Sequence, residues 1–169
     1  GMSFGTGTHA STRLALEALE KHIRMGDAIL DLGCGSGILS ICGLLMGAKY
    51  ADAVDIDPNA VDISVRNAEL NGITPDRFRA YVGDILSDEA LAKQFAAGKY
   101  QIILANIIAD VIIQLPGFVL PALSKNGIFI SSGIIEPRLD DVVNALKNSG
   151  MEIIDVSLSE GWASVTAQN

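Results

Sequence analysis

The chain has 169 residues, a formal net charge of −8, 49% apolar residues and 17 glycines. That size fits one domain with one core, and the composition suits a buried parallel sheet whose turns need glycine. It excludes a membrane span, since no stretch of about 18 residues is free of polar groups, and its acidity repels a phosphate backbone, so a basic protein or an uncharged small molecule is a better partner than nucleic acid. No basic segment leads an apolar core at the start, which argues against secretion. Cys34 and Cys42 lack paired ligand spacing and are expected to be free thiols in a reducing cytoplasm. They form no ligand cluster with His9 and His22, so no metal is expected.

In chain order, Leu16, Leu19 and Ile23 recur at helical spacing, predicting a helix over 11–24. An apolar run at 28–32 ends in Gly33 and reads as a buried strand, followed by a helix over 37–46 that stops at Gly47. A strand over 50–56 precedes Asp57-Pro58, a capping acid with proline at the first helical position. That helix carries Val61, Val65 and Ala68 and ends at Asn71-Gly72. Then come a strand at 77–82, a helix at 88–97, a strand at 100–105 and a helix at 111–123 interrupted by Pro116-Gly117. A strand at 127–132, a helix at 137–148 and strands at 152–158 and 162–167, joined through 159–161, close the chain.

Alternating strand and helix predicts an α/β, Rossmann-like, doubly wound and mostly parallel seven-stranded sheet with helices on both faces. The last two strands have no helix between them, and so short a turn permits only an antiparallel hairpin. The final strand should therefore run against the rest, and the whole chain reads as one domain.

The central motif is Asp31-Leu32-Gly33-Cys34-Gly35-Ser36-Gly37, after a strand and before a helix. Such a loop sits where ligands bind in these sheets. A bare glycine turn also suits dinucleotides, but here the spacing is G-x-G-x-G instead of G-x-G-x-x-G. Asp31 would repel a pyrophosphate, whereas S-adenosylmethionine, with its sulfonium and ammonium, is a cation that Asp31 can bind directly or through water. Asp55 ends the second strand about 20 residues on, where an acid accepts from ribose hydroxyls. Asp57 is occupied as a helix cap, while Asp55 has no such duty and is the better ribose ligand. Asp84, after the third strand, is a candidate for the adenine amino group or an ordinary turn acid.

These motifs, with Phe4-Gly5-Thr6-Gly7-Thr8-His9 at the start, Asp31 to Leu39, Asp55 to Pro58, Asn67 to Gly72, Ala105-Asn106-Ile107, Ser132-Gly133-Ile134 and Trp162, resemble the catalytic domain of PrmA-type methyltransferases, which modify ribosomal protein L11. The resemblance spans essentially the whole chain in the family's order. It implies cofactor contacts at Thr12, Gly33, Asp55 and Asn106; Gly35 and Gly37 of the same loop are expected to bind the cofactor too, since glycine lets the backbone approach a ligand closely. Thr12, in the first turn of the first helix, has a hydroxyl and free N–H groups for the methionine carboxylate. The family's N-terminal substrate-docking domain is absent from this sequence, and Ala10-Ser11-Thr12 stands where Pro-Thr-Thr is common in relatives.

The implied chemistry is N-methylation of lysine or N-terminal amines. A lysine is neutral only about one time in a thousand near pH 7.4, a cost of roughly 4 kcal/mol. Asn106, at the end of the fourth strand, is the candidate catalytic residue. Its uncharged oxygen orients an amine without stabilising the protonated form. His9 is a candidate for the active-site mouth, and the run from Gly5 to Thr8 for a mobile flap or a loose terminus. Three alternatives stay open. The first is methylation of a small molecule or of a nucleic-acid base; for an extruded base an aromatic ring normally follows the asparagine, and Ile107, Ile108 and Ala109 supply none. A nicotinamide oxidoreductase conflicts with Asp31, and a cofactor-holding scaffold would lack a working acceptor site.

Overall fold

The computed structural model describes residues 8–169. The order is α1 (Thr8–His22), β1 (Ala28–Leu32), α2 (Ile38–Leu45), β2 (Tyr50–Asp55), α3 (Pro58–Leu70), β3 (Phe78–Val82), α4 (Glu89–Gln94), β4 (Tyr100–Asn106), α5 (Ala109–Ile112), α6 (Pro116–Ala122), β5 (Leu123–Ile135), α7 (Leu139–Asn148), β6 (Glu152–Ser159) and β7 (Trp162–Gln168). The seven strands form one sheet in the order β3-β2-β1-β4-β5-β7-β6. All pairs among β1 to β5 are parallel, while β7 runs antiparallel to both β5 and β6. The expected doubly wound sheet with one reversed strand is therefore present.

Its core lies in two layers. Leu19 of α1, Leu39 and Leu44 of α2 and Ala68 of α3 pack on one face with Ile29, Ile102 and Leu104. Leu91 of α4, Ile112 of α5, Val119 of α6 and Leu146 of α7 pack on the other with Leu30, Ile103 and Phe129. Strand β1 is buried along its whole length, which is why residues 28–32, Asp31 excepted, are apolar without alternation. Among the described residues, no helix is long and apolar enough to cross a membrane.

Three boundaries differ from the sequence expectation. Helix α1 starts at Thr8, not at residue 11, so Thr12 is its fifth residue and lies beyond the four N–H groups that lack helical partners. The helix expected over 111–123 is two, because Pro116 has no N–H with which to continue the first and instead opens the second. Strand β5 is 13 residues long. Asn126-Gly127 and Gly133 look like its ends, but they are irregularities across which β4 and β7 keep pairing.

Candidate active site

The carboxyl ends of β1, β2, β3 and β4 surround a cleft of ≈ 370 Å³, within the range of about 300–1,000 Å³ typical of small-molecule sites. Leu32, Val54, Ile56, Ile85, Leu86 and Ile107 supply apolar walls, and Gly33, Asp55 and Asp84 also line it. Three of the predicted site residues, from three strand ends, thus meet in one concavity.

The loop after β1 owes its shape to left-handed glycines, with φ of 71° at Gly33, 53° at Gly35 and 84° at Gly37. A Cβ on Gly33 would stand 2.7 Å from Ile107 Cγ2, so the backbone there approaches the β4 corner as no other residue type allows. Gly37 has a different reason to be glycine. A Cβ there would fall 3.0 Å from Ser64 Cβ, so its role in the structure is close packing of α2 on α3.

Asp55 corrects the view that it lacks a structural duty. Its Oδ2 accepts the Gly35 N–H at 2.9 Å and its Oδ1 accepts the Asp57 N–H at 2.9 Å. The acid lies at a chain reversal, where backbone donors outside helix and sheet need partners. Asp57 caps α3 through the Asn59 N–H at 2.9 Å, as its position before Pro58 predicts. Asp84 is exposed, and its Oδ1 accepts the Leu86 N–H at 3.0 Å.

Asp31 does not line the cleft. It is 1% exposed beneath the glycine loop, and its Oδ2 accepts the Ser40 hydroxyl at 2.6 Å. Burial pushes its carboxyl up to about 6, although the Ser40 hydrogen bonds pull the other way. Cys34 is 7% exposed and burial likewise pushes its thiol up, so it is no ready nucleophile.

Thr12 and Asn106, 94 residues apart, meet beside the cleft: Asn106 Nδ2 donates to Thr12 Oγ1 at 3.4 Å. Ser132 ties the same corner together, donating its hydroxyl to Ser11 O at 2.8 Å and accepting the Ile107 N–H at 3.1 Å. Ser40, Ile107, Ser132 and Gly133 were not singled out as site residues from sequence. The available signal was polar Ser-Ser-Gly at the top of an otherwise apolar strand. The residues from Phe4 to Gly7 lie outside the described residues.

The sequence profile described as ribosomal protein L11 methyltransferase (PrmA) matches residues 1–169. The chain belongs to this family. Two proteins named ribosomal protein L11 methyltransferase illustrate the match. The one from Lachnospira eligens is 39% identical over 99% of this chain and 53% of its own length. The one from Caldicellulosiruptor saccharolyticus is 42% identical over 99% of this chain and 52% of its own length. The chain thus spans about half the length of the curated relatives it matches. A crystal structure of ribosomal protein L11 methylase from Lactobacillus delbrueckii subsp. bulgaricus superposes with TM-score 0.84 at 29% identity, covering 94% of this chain and 78% of that one. An S-adenosylmethionine dependent methyltransferase from Mesorhizobium loti shares the fold at TM-score 0.74 and 17% identity, covering 96% of this chain and 100% of that one. In this member of the ribosomal protein L11 methyltransferase family, the cleft and the Thr12–Asn106 pair both lie at the carboxyl edge of the sheet.

Proposed function

We propose that this chain binds S-adenosylmethionine and transfers its methyl group to amino groups of ribosomal protein L11. The observation that carries the reading is the adjacency of the acid-edged cleft to the Thr12–Asn106 pair across the β4 corner. The donor set fits the cofactor's charge and shape. Apolar walls suit an adenine face, Asp55 suits ribose hydroxyls, and Asp84 suits an exocyclic amine. Asp31 supplies negative charge under the loop on the side of the ammonium. Family membership and the relatives' names support the acceptor, and the net charge of −8 suits a basic protein.

When bound, the cofactor supplies a methyl group activated on a sulfonium. The residues of the chain position the reactants. Asn106 Oδ1 accepts an N–H of the incoming amine and aims its lone pair at the methyl carbon. Thr12 steadies the Asn106 carboxamide through its hydroxyl. Neither group is charged, so neither favours the ammonium form that cannot attack. The product's extra proton leaves to solvent.

The test is label transfer from S-adenosylmethionine to ribosomal protein L11, read by mass spectrometry, alongside calorimetric titration of cofactor. Label on amino groups of that protein is expected. Asn106→Ala should lower turnover at least tenfold at saturating cofactor, a larger loss than any fall in cofactor affinity. Binding of a nicotinamide dinucleotide in place of S-adenosylmethionine would overturn the reading, and label confined to small molecules would overturn the acceptor.

A further inference from the structure

At Ser132-Gly133 the β5–β7 ladder loses its regular pairing, with a register shift between Ser131 and Ile134. The backbone here is shaped by something other than sheet hydrogen bonding. Ser132 is fully buried; its hydroxyl donates to Ser11 O in α1, and its main-chain carbonyl accepts the Ile107 N–H just after β4. Gly133 follows at φ 80°. A Cβ on Gly133 would lie 2.9 Å from Asn106 Oδ1, 2.8 Å from Ile107 O and 3.0 Å from Ile107 N. Two of these obstacles are backbone atoms and the third is a short carboxamide, so none moves aside easily. Three other left-handed glycines, Gly35, Gly72 and Gly150, have open space where a Cβ would go. Chain reversal alone accounts for those, but not for Gly133.

We propose that Ser132 and Gly133 are positioning residues for Asn106. The Ser132 hydroxyl fixes the α1 segment that carries Thr12, the hydrogen-bond partner of Asn106, while the Ser132 main-chain carbonyl holds the chain just after Asn106. Gly133 leaves the space in which the Asn106 carboxamide adopts the orientation that faces the acceptor. The inference rests on the reading of Asn106 as the group that orients the amine.

The test uses the full chain, ¹⁵N-labelled and saturated with S-adenosylhomocysteine. The Asn106 side-chain amide resonance is assigned by its disappearance in Asn106→Ala. It should move in both Gly133→Ala and Ser132→Ala, while backbone resonances of β2 and β3 stay in place. Affinity for S-adenosylhomocysteine should stay within about threefold. Methyl transfer to ribosomal protein L11 should fall about tenfold or more in Gly133→Ala, since a misplacement of about 1 Å is enough for such a loss. In an Asn106→Ala background, Gly133→Ala should cost little more, because its effect runs through that side chain. Should Gly133→Ala fail to fold, Ser132→Ala carries the test, because it removes an atom and adds none. An unmoved Asn106 amide in the folded variants, or losses that multiply in the double variant, would overturn the proposal. Normal turnover by Asn106→Ala would instead sink the role of Asn106, with the amide shift still reporting the contact.

Discussion

Asp55 Oδ2 accepts the Gly35 N–H at 2.9 Å, so the acid closing β2 holds the glycine loop that closes β1. The strands are already parallel neighbours, with Leu32 opposite Val54. This hydrogen bond carries their alignment into the loop. The same residue lines the cleft, so the side chain that braces the loop also edges the cavity.

Removing that brace should affect loop and ligand together. Asp55→Ala leaves the Gly35 and Asp57 N–H groups without their carboxylate, an expected loss of about 1–3 kcal/mol of stability. Cofactor affinity should fall at least tenfold. Asp55→Asn keeps one acceptor oxygen and should cost less in stability than in affinity. Urea denaturation and calorimetric titration separate the two effects.

Asp31 should make stability depend on pH. Its carboxyl is raised from 3.8 to about 6, chiefly by burial. Between these values the native state keeps a proton that the unfolded chain has released. Stability therefore falls as pH rises through about 4 to 6, by at most about 3 kcal/mol. Asp31→Asn should unfold at a higher temperature than the parent at pH 8, with the difference vanishing near pH 3. Cofactor binding has the opposite sign, because an ammonium favours the ionised carboxyl. Affinity should strengthen as pH rises through about 6 in the parent and stay flat in Asp31→Asn, as titration at several pH values would reveal.

Gly33 combines a φ of 71° with a Cβ position 2.7 Å from Ile107 Cγ2. Gly33→Ala should cost about 1–3 kcal/mol from backbone strain alone. It should also weaken cofactor binding, since the displaced Ile107 lines the cleft. Pairing it with Ile107→Ala should recover part of the stability and leave the strain, a difference that chemical denaturation can resolve.

Asp52, three residues before Asp55, belongs to the scaffold and not to the site. It is 2% exposed, accepts Arg79 Nε at 2.8 Å and takes the Tyr100 hydroxyl. Burial, then Asp52 itself, pushes the Tyr100 hydroxyl up, so it stays a donor. Asp52→Ala should cost about 1–3 kcal/mol by leaving the buried Tyr100 hydroxyl without its acceptor, the half-exposed Arg79 being free to turn to solvent. Tyr100→Phe should cost only about 1 kcal/mol. Both should bind cofactor normally, checked by denaturation and titration.

The sequence by itself determined the fold class, the reversed last strand and most of the cleft. Those features are written locally. Apolar runs ending in glycine give buried strands, Asp57-Pro58 gives a helix start, and acids at strand ends fall at the sheet's carboxyl edge because parallel strands all point one way. Only the tertiary structure decided the rest. It put Thr12 against Asn106, Ser40 on Asp31 and Gly133 beneath the Asn106 carboxamide. It also gave Asp55 a bracing role and turned Gly37 toward Ser64. Each of these is a contact between segments far apart in the chain or across a loop. It depends on strand order and register, and no local pattern of residues records which side chains those will bring together.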